Sequence, residues 1–316
     1  IVLLDGWQGQ LCSECNLNDM KLLNYLNDST RNDDKCHVLT DEEAKKLKRC
    51  LLSIYKDIVR VCEKYGLICM LGGGSALGAV RHKGFIPWDD DMDLIMPRRD
   101  YERFISFFDK ELGNEYKIAS PYSRNSNYFV QVIKKNTFVR SLNETEGGGV
   151  RIDIFPIDVA PRSAVSRYIR HYLSIVCRGI RFSAKAYKTK DDDFKRVMRR
   201  KLVSSLMYWS IMLIGFIVSW IPVNYWCKLF DRIVSKKCVS EYSTIAHGRN
   251  LYMGELLKTN VFFPPSKGEF EGMEIFLPNY PDVYLRNLYG DRYMELPPVE
   301  KRETHGFFEF DIPDEY

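Results

Sequence analysis

Residues 72–104 have the sequence GGGSALGAVRHKGFIPWDDDMDLIMPRRDYERF and decide the fold class. The apolar residues 67–71 before them predict a short strand, which the glycines 72–74 end. A short helix is expected to begin at Ser75, and Met92–Met96 predicts a second strand with Asp91 at its mouth. A helix that directly follows a glycine-rich turn can present backbone N–H groups to a phosphate.

The sequence on either side extends this pattern. Thr40 and Glu43 form a capping box, and the helix that they begin is expected to end at Gly66. Its buried face is predicted by apolar residues at steps of three and four, namely Leu47, Leu51, Ile54, Ile58 and Val61. Further helices are expected at Asp100–Leu112 and Asp282–Tyr289, and further strands at Tyr128–Ile133, Val150–Phe155 and Met273–Leu277. This order predicts an α+β (mixed α/β) fold, a mixed sheet flanked by helices, with a helical insertion in the second half.

Three aspartates stand out as candidate metal ligands. On a strand, residues two apart share a face, so Asp91 and Asp93 point the same way while Met92 points into the core. Two carboxylates on one face repel unless a cation lies between them, and oxygen ligands favour Mg²⁺ or Mn²⁺. Asp153 lies on an apolar strand and needs a partner of its own. The alternatives are a solvated acidic loop for the first pair and a structural ion pair with Arg151 for Asp153.

These residues carry a resemblance to known proteins. The glycines, the paired acids and Asp153 resemble the signature of the nucleotidyltransferase fold. The longer stretch 72–104, with RIDIFPID at 151–158 and NYPDVYLRNLYGDRYMELPP at 279–298, resembles the LicD/fukutin-type phosphotransferase family. The resemblance extends from about residue 45 to 310, thins between 162 and 245, and is absent before 40.

The resemblance implies an activity. Members of this family transfer phosphocholine or a polyol phosphate from a CDP-activated donor to a sugar hydroxyl of a cell-surface glycan or its lipid-linked precursor. Two other functions are compatible with the same motifs: transfer of a nucleoside monophosphate, and non-catalytic binding by a membrane-associated protein on this fold. The released product separates the two enzymes, because the first releases CMP and the second releases pyrophosphate.

The residue roles follow from the motifs and the resemblance together. The residues expected to be catalytic are Asp91, Asp93, Asp153 and His305, of which the three aspartates would also hold Mg²⁺ or Mn²⁺. The residues expected to bind substrate are Gly73, Gly74, Ser75, Arg81, Lys83, Trp88, Arg151 and Arg302. Trp88 would stack on the cytosine or cover a quaternary ammonium, unless it only packs its loop. For His82 and Lys83, a solvated helix end is the alternative to a phosphate contact.

Composition and length limit the kinds of partner and the number of domains that the sequence predicts. The 316 residues carry 46 Lys and Arg against 42 Asp and Glu, and a net charge of +4 argues against nucleic-acid binding. Four segments are expected: an irregular Cys-containing segment 1–39, a catalytic core 40–160, a helical region 161–245, and a segment 246–316 that completes the site.

The nine cysteines favour reduced thiols, with a zinc site at Cys12, Cys15, Cys36 and His37 as the alternative. Two sequons, at Asn27 and Asn143, permit a lumenal glycoprotein, but two chance matches in a bacterial cytoplasmic protein are the preferred interpretation.

Residues 202–221 hold no charged side chain, and basic residues at 195–201 precede them. A membrane span is one possibility. It would separate Asp91, Asp93 and Asp153 from Arg302 and His305 across the membrane, so a single site could not form. We therefore expect a helix in the interface, with the protein attached peripherally to the cytoplasmic face of a membrane, rather than a buried core helix.

Overall fold

The structure is a computed structural model that describes residues 36–123, 126–141, 148–299, 302 and 307–314. It confirms the mixed α/β class, because helices and strands alternate through the described part of the chain. The predictions that concern Cys12, Cys15, the two sequon asparagines and His305 lie outside the described residues. Of the zinc candidates that are described, His37 contacts the Glu43 carboxylate at 3.0 Å.

The elements are numbered in chain order. The helices are α1 (Asp41–Tyr65), α2 (Gly73–His82), α3 (Arg98–Glu111), α4 (Ala164–Thr189), α5 (Asp192–Met198), α6 (Leu202–Ile217), α7 (Val223–Val234), α8 (Leu251–Gly254) and α9 (Pro281–Tyr289). The strands are β1 (Met70–Leu71), β2 (Asp93–Pro97), β3 (Tyr116–Ala119), β4 (Val130–Lys134), β5 (Phe138–Ser141), β6 (Arg151–Ala160), β7 (Tyr242–Thr244), β8 (Leu257–Lys258), β9 (Ser266–Phe270), β10 (Met273–Leu277) and β11 (Phe307–Asp311).

One mixed sheet organises the molecule. Its strand order is β1-β2-β6-β4-β3, with β7 paired to β6 and β8 paired to β7. Strands β2 and β6 run parallel, and the other pairings in this sheet are antiparallel. Strand β6 is long enough to pair with β2 and β4 near its start and with β7 at its end. Because β7 and β8 follow α7, the chain returns to the sheet after the last long helix of the insertion, and β7 lies within the range 161–245 that was predicted to be helical.

Helix α1 forms as the sequence predicts. The Thr40 side chain accepts from the Glu43 N–H, the Glu43 side chain accepts from the Thr40 N–H, and Gly66 closes the helix in the left-handed conformation. All five residues predicted to form its buried face are buried. The core that this face enters also contains residues after the insertion, including Phe262, Phe270, Ile275, Tyr284 and Phe307. The C-terminal segment therefore shares the core of the sheet.

Several helix and strand boundaries differ from the predictions, and backbone hydrogen bonds explain each difference. Helix α2 begins at Gly73 instead of Ser75, because the Ala76 N–H donates to the Gly72 carbonyl and the glycines themselves form the first turn. Strand β1 has two residues, because it pairs only with Leu94 and Ile95 of β2. Strand β6 runs to Ala160, five residues further than predicted, because β7 pairs with its end.

A buried ion cluster joins the sheet to the helical region. The Arg98 guanidinium, at the start of α3, contacts both carboxylate oxygens of Asp158 on β6 at 2.7 and 2.8 Å and the Asp231 carboxylate on α7 at 2.8 Å. Tyr122 donates to the other oxygen of Asp231 at 2.6 Å. Burial acts to lower the pKa of Arg98, but the two carboxylates outweigh it and the pKa is raised. Burial also raises the pKa of Asp158, although Arg98 opposes that shift.

The uncharged segment 202–221 forms a helix shorter than a membrane span requires. Helix α6 has 16 residues, and its axial length is about 24 Å at 1.5 Å per residue, against about 30 Å of bilayer hydrocarbon. Among the described residues, no helix combines the length and the apolarity needed to cross a membrane.

Candidate active site

Two of the predicted aspartates lie on neighbouring strands at the same level. Asp93, the first residue of β2, is in register with Asp153 on the parallel strand β6. The Asp153 N–H donates to the Met92 carbonyl at 3.2 Å, so the pairing begins just before Asp93. On the other side of β6, the Gln131 amide donates to Asp153 Oδ1 at 2.9 Å and orients that carboxylate. The structure therefore brings together two acids that are 60 residues apart in the chain.

The glycine turn packs directly against this pair. Gly73 has φ +47°, and a Cβ added there would lie 2.6 Å from Asp93 Oδ2. A Cβ on Gly74 would lie 3.0 Å from Asp89 Oδ2. A side chain at Gly73 would displace the Asp93 carboxylate, and one at Gly74 would crowd that of Asp89; Gly73 is also favoured by its left-handed backbone.

Side chains from both sides hold this turn in place. The Ser75 hydroxyl accepts the Asp93 backbone N–H at 2.9 Å, which joins the first turn of α2 to the start of β2. The Gly73 N–H donates to the Tyr284 hydroxyl on α9 at 3.0 Å. Within the turn, the N–H groups of Gly74 and Ser75 lie in the first turn of the helix, where backbone donors have no partner inside the helix. They are the better placed donors for a phosphate, since the Gly73 N–H already has a partner.

A cavity opens beside the acids. It is lined by Asp90, Asp91 and Asp153, by Arg151 and by apolar residues that include Leu47 and Phe307. Asp91 precedes β2 instead of lying within it. Asp91 and Asp93 are half-buried, and Met92 between them is buried as the alternation predicts. The cavity gives a ligand access to Asp153 and Arg151 from the side of α1.

The donor set fits a partly hydrated divalent cation held by a carboxylate pair. Asp93 and Asp153 are register neighbours, and Mg²⁺ is usually bound by one or two carboxylates together with phosphate oxygens. Within the described residues, no group of three or more Asp, Glu, His or Cys side chains is arranged to hold a metal ion. A complete three-aspartate cage is therefore not formed by the protein alone.

Arg81 and Lys83, at the end of α2, contact other segments of the chain. Arg81 donates to the carbonyl oxygens of Tyr293 at 2.7 Å and Glu295 at 3.2 Å, so it fastens the segment after α9 to the end of α2. Burial lowers the pKa of Arg81. Lys83 is exposed and caps α2 in the left-handed conformation, and its carbonyl accepts from the Glu271 N–H. These contacts of Arg81 join two segments of the chain, and its role as a phosphate clamp stays a prediction.

Trp88 lies between a basic residue and a histidine. The Arg302 guanidinium carbon is 4.3 Å from the Trp88 ring centroid, and the His82 ring meets the same indole edge-on at 6.3 Å. Arg302 thus reaches the loop between α2 and β2, as the resemblance implied. The Arg302 guanidinium therefore occupies one face of the Trp88 ring in a cation–π contact.

Four residues of this region were not predicted from the sequence. Tyr284 holds the Gly73 amide, Gln131 orients Asp153, and Asp89 lies against Gly74. Lys48 on α1 donates to the carbonyl oxygens of Ile86 and Pro87, just before Trp88, and burial lowers its pKa. Gln131 had a sequence signal, since it is a polar residue inside an apolar strand. Tyr284 had none, because 211 residues separate it from Gly73.

Comparisons with known proteins show what the chain is similar to. Residues 66–174 match the family model described as LicD/FKTN/FKRP, nucleotidyltransferase domain. The chain is similar to the lipopolysaccharide cholinephosphotransferase LicD of Haemophilus influenzae, with 28% identity over 249 residues that cover 78% of this chain and 89% of that protein. A shorter match of 68 residues, 38% identical, covers 20% of this chain and 26% of an uncharacterized protein of Rickettsia prowazekii, RP689. The resemblance found in the sequence is confirmed.

Proposed function

Residues 66–174 belong to the LicD family of nucleotidyltransferase domains, and from this premise we propose that the protein transfers a substituted phosphate from a CDP-activated donor to a sugar hydroxyl, releasing CMP. The acceptor is a cell-surface glycan or its lipid-linked precursor. One observation carries the proposal: the register that sets Asp93 beside Asp153, directly against the Gly73 turn. Phosphoryl transfer depends mainly on positioning and charge neutralisation, and this arrangement offers both.

Asp93 and Asp153 would hold Mg²⁺ or Mn²⁺, with Asp91 as a further oxygen ligand, and the ion would offset the negative charge of the donor diphosphate. The protein's own residues do the positioning. The Gly74 and Ser75 N–H groups bind a phosphate oxygen at the start of α2. Gln131 fixes Oδ1 of Asp153, and the carboxylate of Asp153 takes the proton of the acceptor hydroxyl if it is not needed as a ligand. Arg151, beside Asp153 in the cavity, binds a phosphate or the acceptor.

Phosphocholine is the head group that we propose first. The similar Haemophilus protein is named a cholinephosphotransferase. For Trp88 to bind the choline group, the ammonium would have to replace Arg302 over the indole, because two positive charges repel each other on one ring face. A quaternary ammonium has no hydrogen-bond donor, so it cannot form a hydrogen-bonded ion pair with a carboxylate. It binds well against an aromatic face instead. A polyol carries no positive charge, so it would not gain the cation–π attraction.

The test is donor turnover by the intact protein. We expect CMP release from CDP-choline that depends on Mg²⁺ or Mn²⁺ and stops with EDTA, with slower release from CDP-glycerol and CDP-ribitol. Pyrophosphate release from CTP and phosphocholine would instead support the nucleoside monophosphate transferase. Binding of CDP-choline without turnover of any donor, with acceptor present, would support the non-catalytic binding protein.

Gly73→Ala tests the close approach of the turn to Asp93. The new Cβ is expected to displace the Asp93 carboxylate, so CMP release should fall about tenfold or more. The unfolding free energy should fall by only about 1 kcal/mol, the order of the left-handed backbone penalty, because a carboxylate can rotate away.

Gly272→Ala is the matched control. Gly272 has φ +73° and nothing within 4 Å of an added Cβ, so it carries the backbone penalty alone. We expect a similar loss of stability with full CMP release. Equal activity in the two variants would contradict a role for the Gly73 turn.

A further inference from the structure

Helix α6 has its polarity reversed relative to a helix on an aqueous surface. Its buried side includes Ser204, Tyr208 and Gly215. Its exposed apolar side chains are Leu202, Val203, Leu206, Trp209, Leu213, Ile214, Phe216 and Ile217, and Trp220 just beyond the helix is 80% exposed. At 100° per residue these positions fall on one side of the helix, opposite the buried residues. A helix that faces water carries polar residues on this side.

The few polar atoms on this face are satisfied within the chain. The Ser210 hydroxyl donates to the Leu206 carbonyl at 3.0 Å. The Trp220 indole N–H donates to the Ile217 carbonyl at 3.0 Å. Neither group needs water as a partner, so the face can leave water without losing a hydrogen bond.

Most charged residues in the helical region before Asp231 are basic. Residues 161–230 contain 14 Lys and Arg and three Asp, a net charge of +11, whereas the whole chain carries only +4. The three acids are consecutive, Asp191–Asp193, so neither α4 nor α6 contains any. Lys195 and Arg199 are exposed just before α6, and the Arg199 guanidinium carbon is 5.9 Å from the ring centroid of Trp209 on the apolar face. A basic border thus meets the apolar face.

We propose that α6 lies in the plane of an anionic membrane interface, with its apolar face among the acyl chains and the basic residues of the helical region against lipid phosphates. This combination of one apolar face and basic flanks is typical of interfacial helices. Trp and Tyr favour the same depth, where one part of the ring is apolar and another is hydrated. The cytoplasmic leaflet is the anionic one, which assigns the protein to that surface.

Two other occupants of the face fit less well. A second copy of the chain would bring two regions of net charge +11 together, and like charges oppose that association. A span would need more residues than the 16 of α6. The neighbouring helix α4, against which α6 packs, also has exposed apolar side chains, namely Val165, Ile169, Tyr172, Leu173 and Val176.

Vesicle flotation of the full chain tests the proposal, independently of any transfer activity. We expect the protein to float with vesicles of phosphatidylcholine and phosphatidylglycerol (7:3), and about tenfold less with phosphatidylcholine alone. High salt should reduce binding to the anionic vesicles, because it screens the basic border. Alkaline carbonate should release the protein from membranes.

Two variants separate the contribution of the apolar face from that of the basic residues. Leu206→Ser/Leu213→Ser/Phe216→Ser should lose binding to both kinds of vesicle, and Lys195→Gln/Arg199→Gln should lose mainly the preference for anionic lipid. The matched control Val38→Ser/Val239→Ser/Phe276→Ser removes three exposed apolar side chains from other parts of the surface and should bind as the unmodified protein does. Circular dichroism and thermal unfolding check that each variant folds.

Three outcomes would overturn the proposal. The first is no flotation of the unmodified protein with anionic vesicles at low salt. The second is equal loss in the control and the α6 variant, which would mean that binding is not specific to this face. The third is a dimer by light scattering that the α6 substitutions dissociate, with no binding to vesicles, which would assign the face to a second copy.

Discussion

Asp93→Asn is expected to lower CMP release by about a thousandfold while the protein stays folded. The amide keeps the shape of the carboxylate but removes the charge that would hold a divalent cation beside Asp153, and metal-ion charge stabilisation is worth several kcal/mol of the barrier. Because like charges opposite each other on neighbouring strands destabilise a sheet, the melting temperature should stay the same or rise slightly. The measurement is steady-state CMP release with Mg²⁺, together with thermal unfolding.

Asp109→Asn is the matched control, since Asp109 is an exposed aspartate of α3 outside the candidate site. It should retain full activity. If Asp93→Asn turned over the donor at the unmodified rate, or did so in EDTA, the proposed metal site would be wrong. A fall in activity that matched a fall in melting temperature would point to a structural role instead.

Arg98→Met is expected to destabilise the fold more than any other single change that we describe. It leaves the buried carboxylates of Asp158 and Asp231 without their shared cation, and loss of one partner of a buried ion pair typically costs about 3–5 kcal/mol. In the variant the buried Asp158 carboxyl should have a pKa raised by burial above its value in the unfolded chain, because Arg98 no longer opposes that shift. The folded state then binds more protons, so the variant loses stability as the pH rises and recovers part of it in mild acid.

The control for this change is Arg286→Met. Arg286 pairs with Asp282 and Asp291 on the surface, where exposed pairs contribute about 1 kcal/mol or less. Chemical denaturation at pH 5 and pH 8 measures both variants. A loss of stability in Arg98→Met that is as small as in Arg286→Met, or that does not change with pH, would contradict the account given for this cluster.

The sequence could predict those parts of the fold that depend on local patterns. The capping box at Thr40, the buried face of α1 and the strand Met273–Leu277 all follow from spacing within a few residues, and all are confirmed. Alternation along two short segments also indicated that Asp93 and Asp153 point out of the core. Their pairing depended on which strands are neighbours, which the spacing alone does not determine.

The remaining features depend on contacts between distant segments. Tyr284 meets Gly73 only because the chain returns after the helical insertion and packs α9 against α2. The same return places the carbonyl groups of Tyr293 and Glu295 at Arg81, so a basic residue that resembled a phosphate ligand has backbone partners. Apolar composition predicted that α6 is hydrophobic, but which side faces outward followed only from the packing of α6 on α4.

The order of these segments also matters while the chain is being made on the ribosome. Asp153 precedes the helical region and Arg302 follows it, with 149 residues from one to the other. At about 5–20 residues per second, their synthesis takes roughly 7–30 s. Helix α6 leaves the exit tunnel before Tyr284 does. If α6 binds a bilayer as we propose, a nascent chain could do so before Tyr284 contacts the Gly73 turn. It would then hold the paired acids without the finished pocket, and the proposed transfer would begin only after the C-terminal segment has folded.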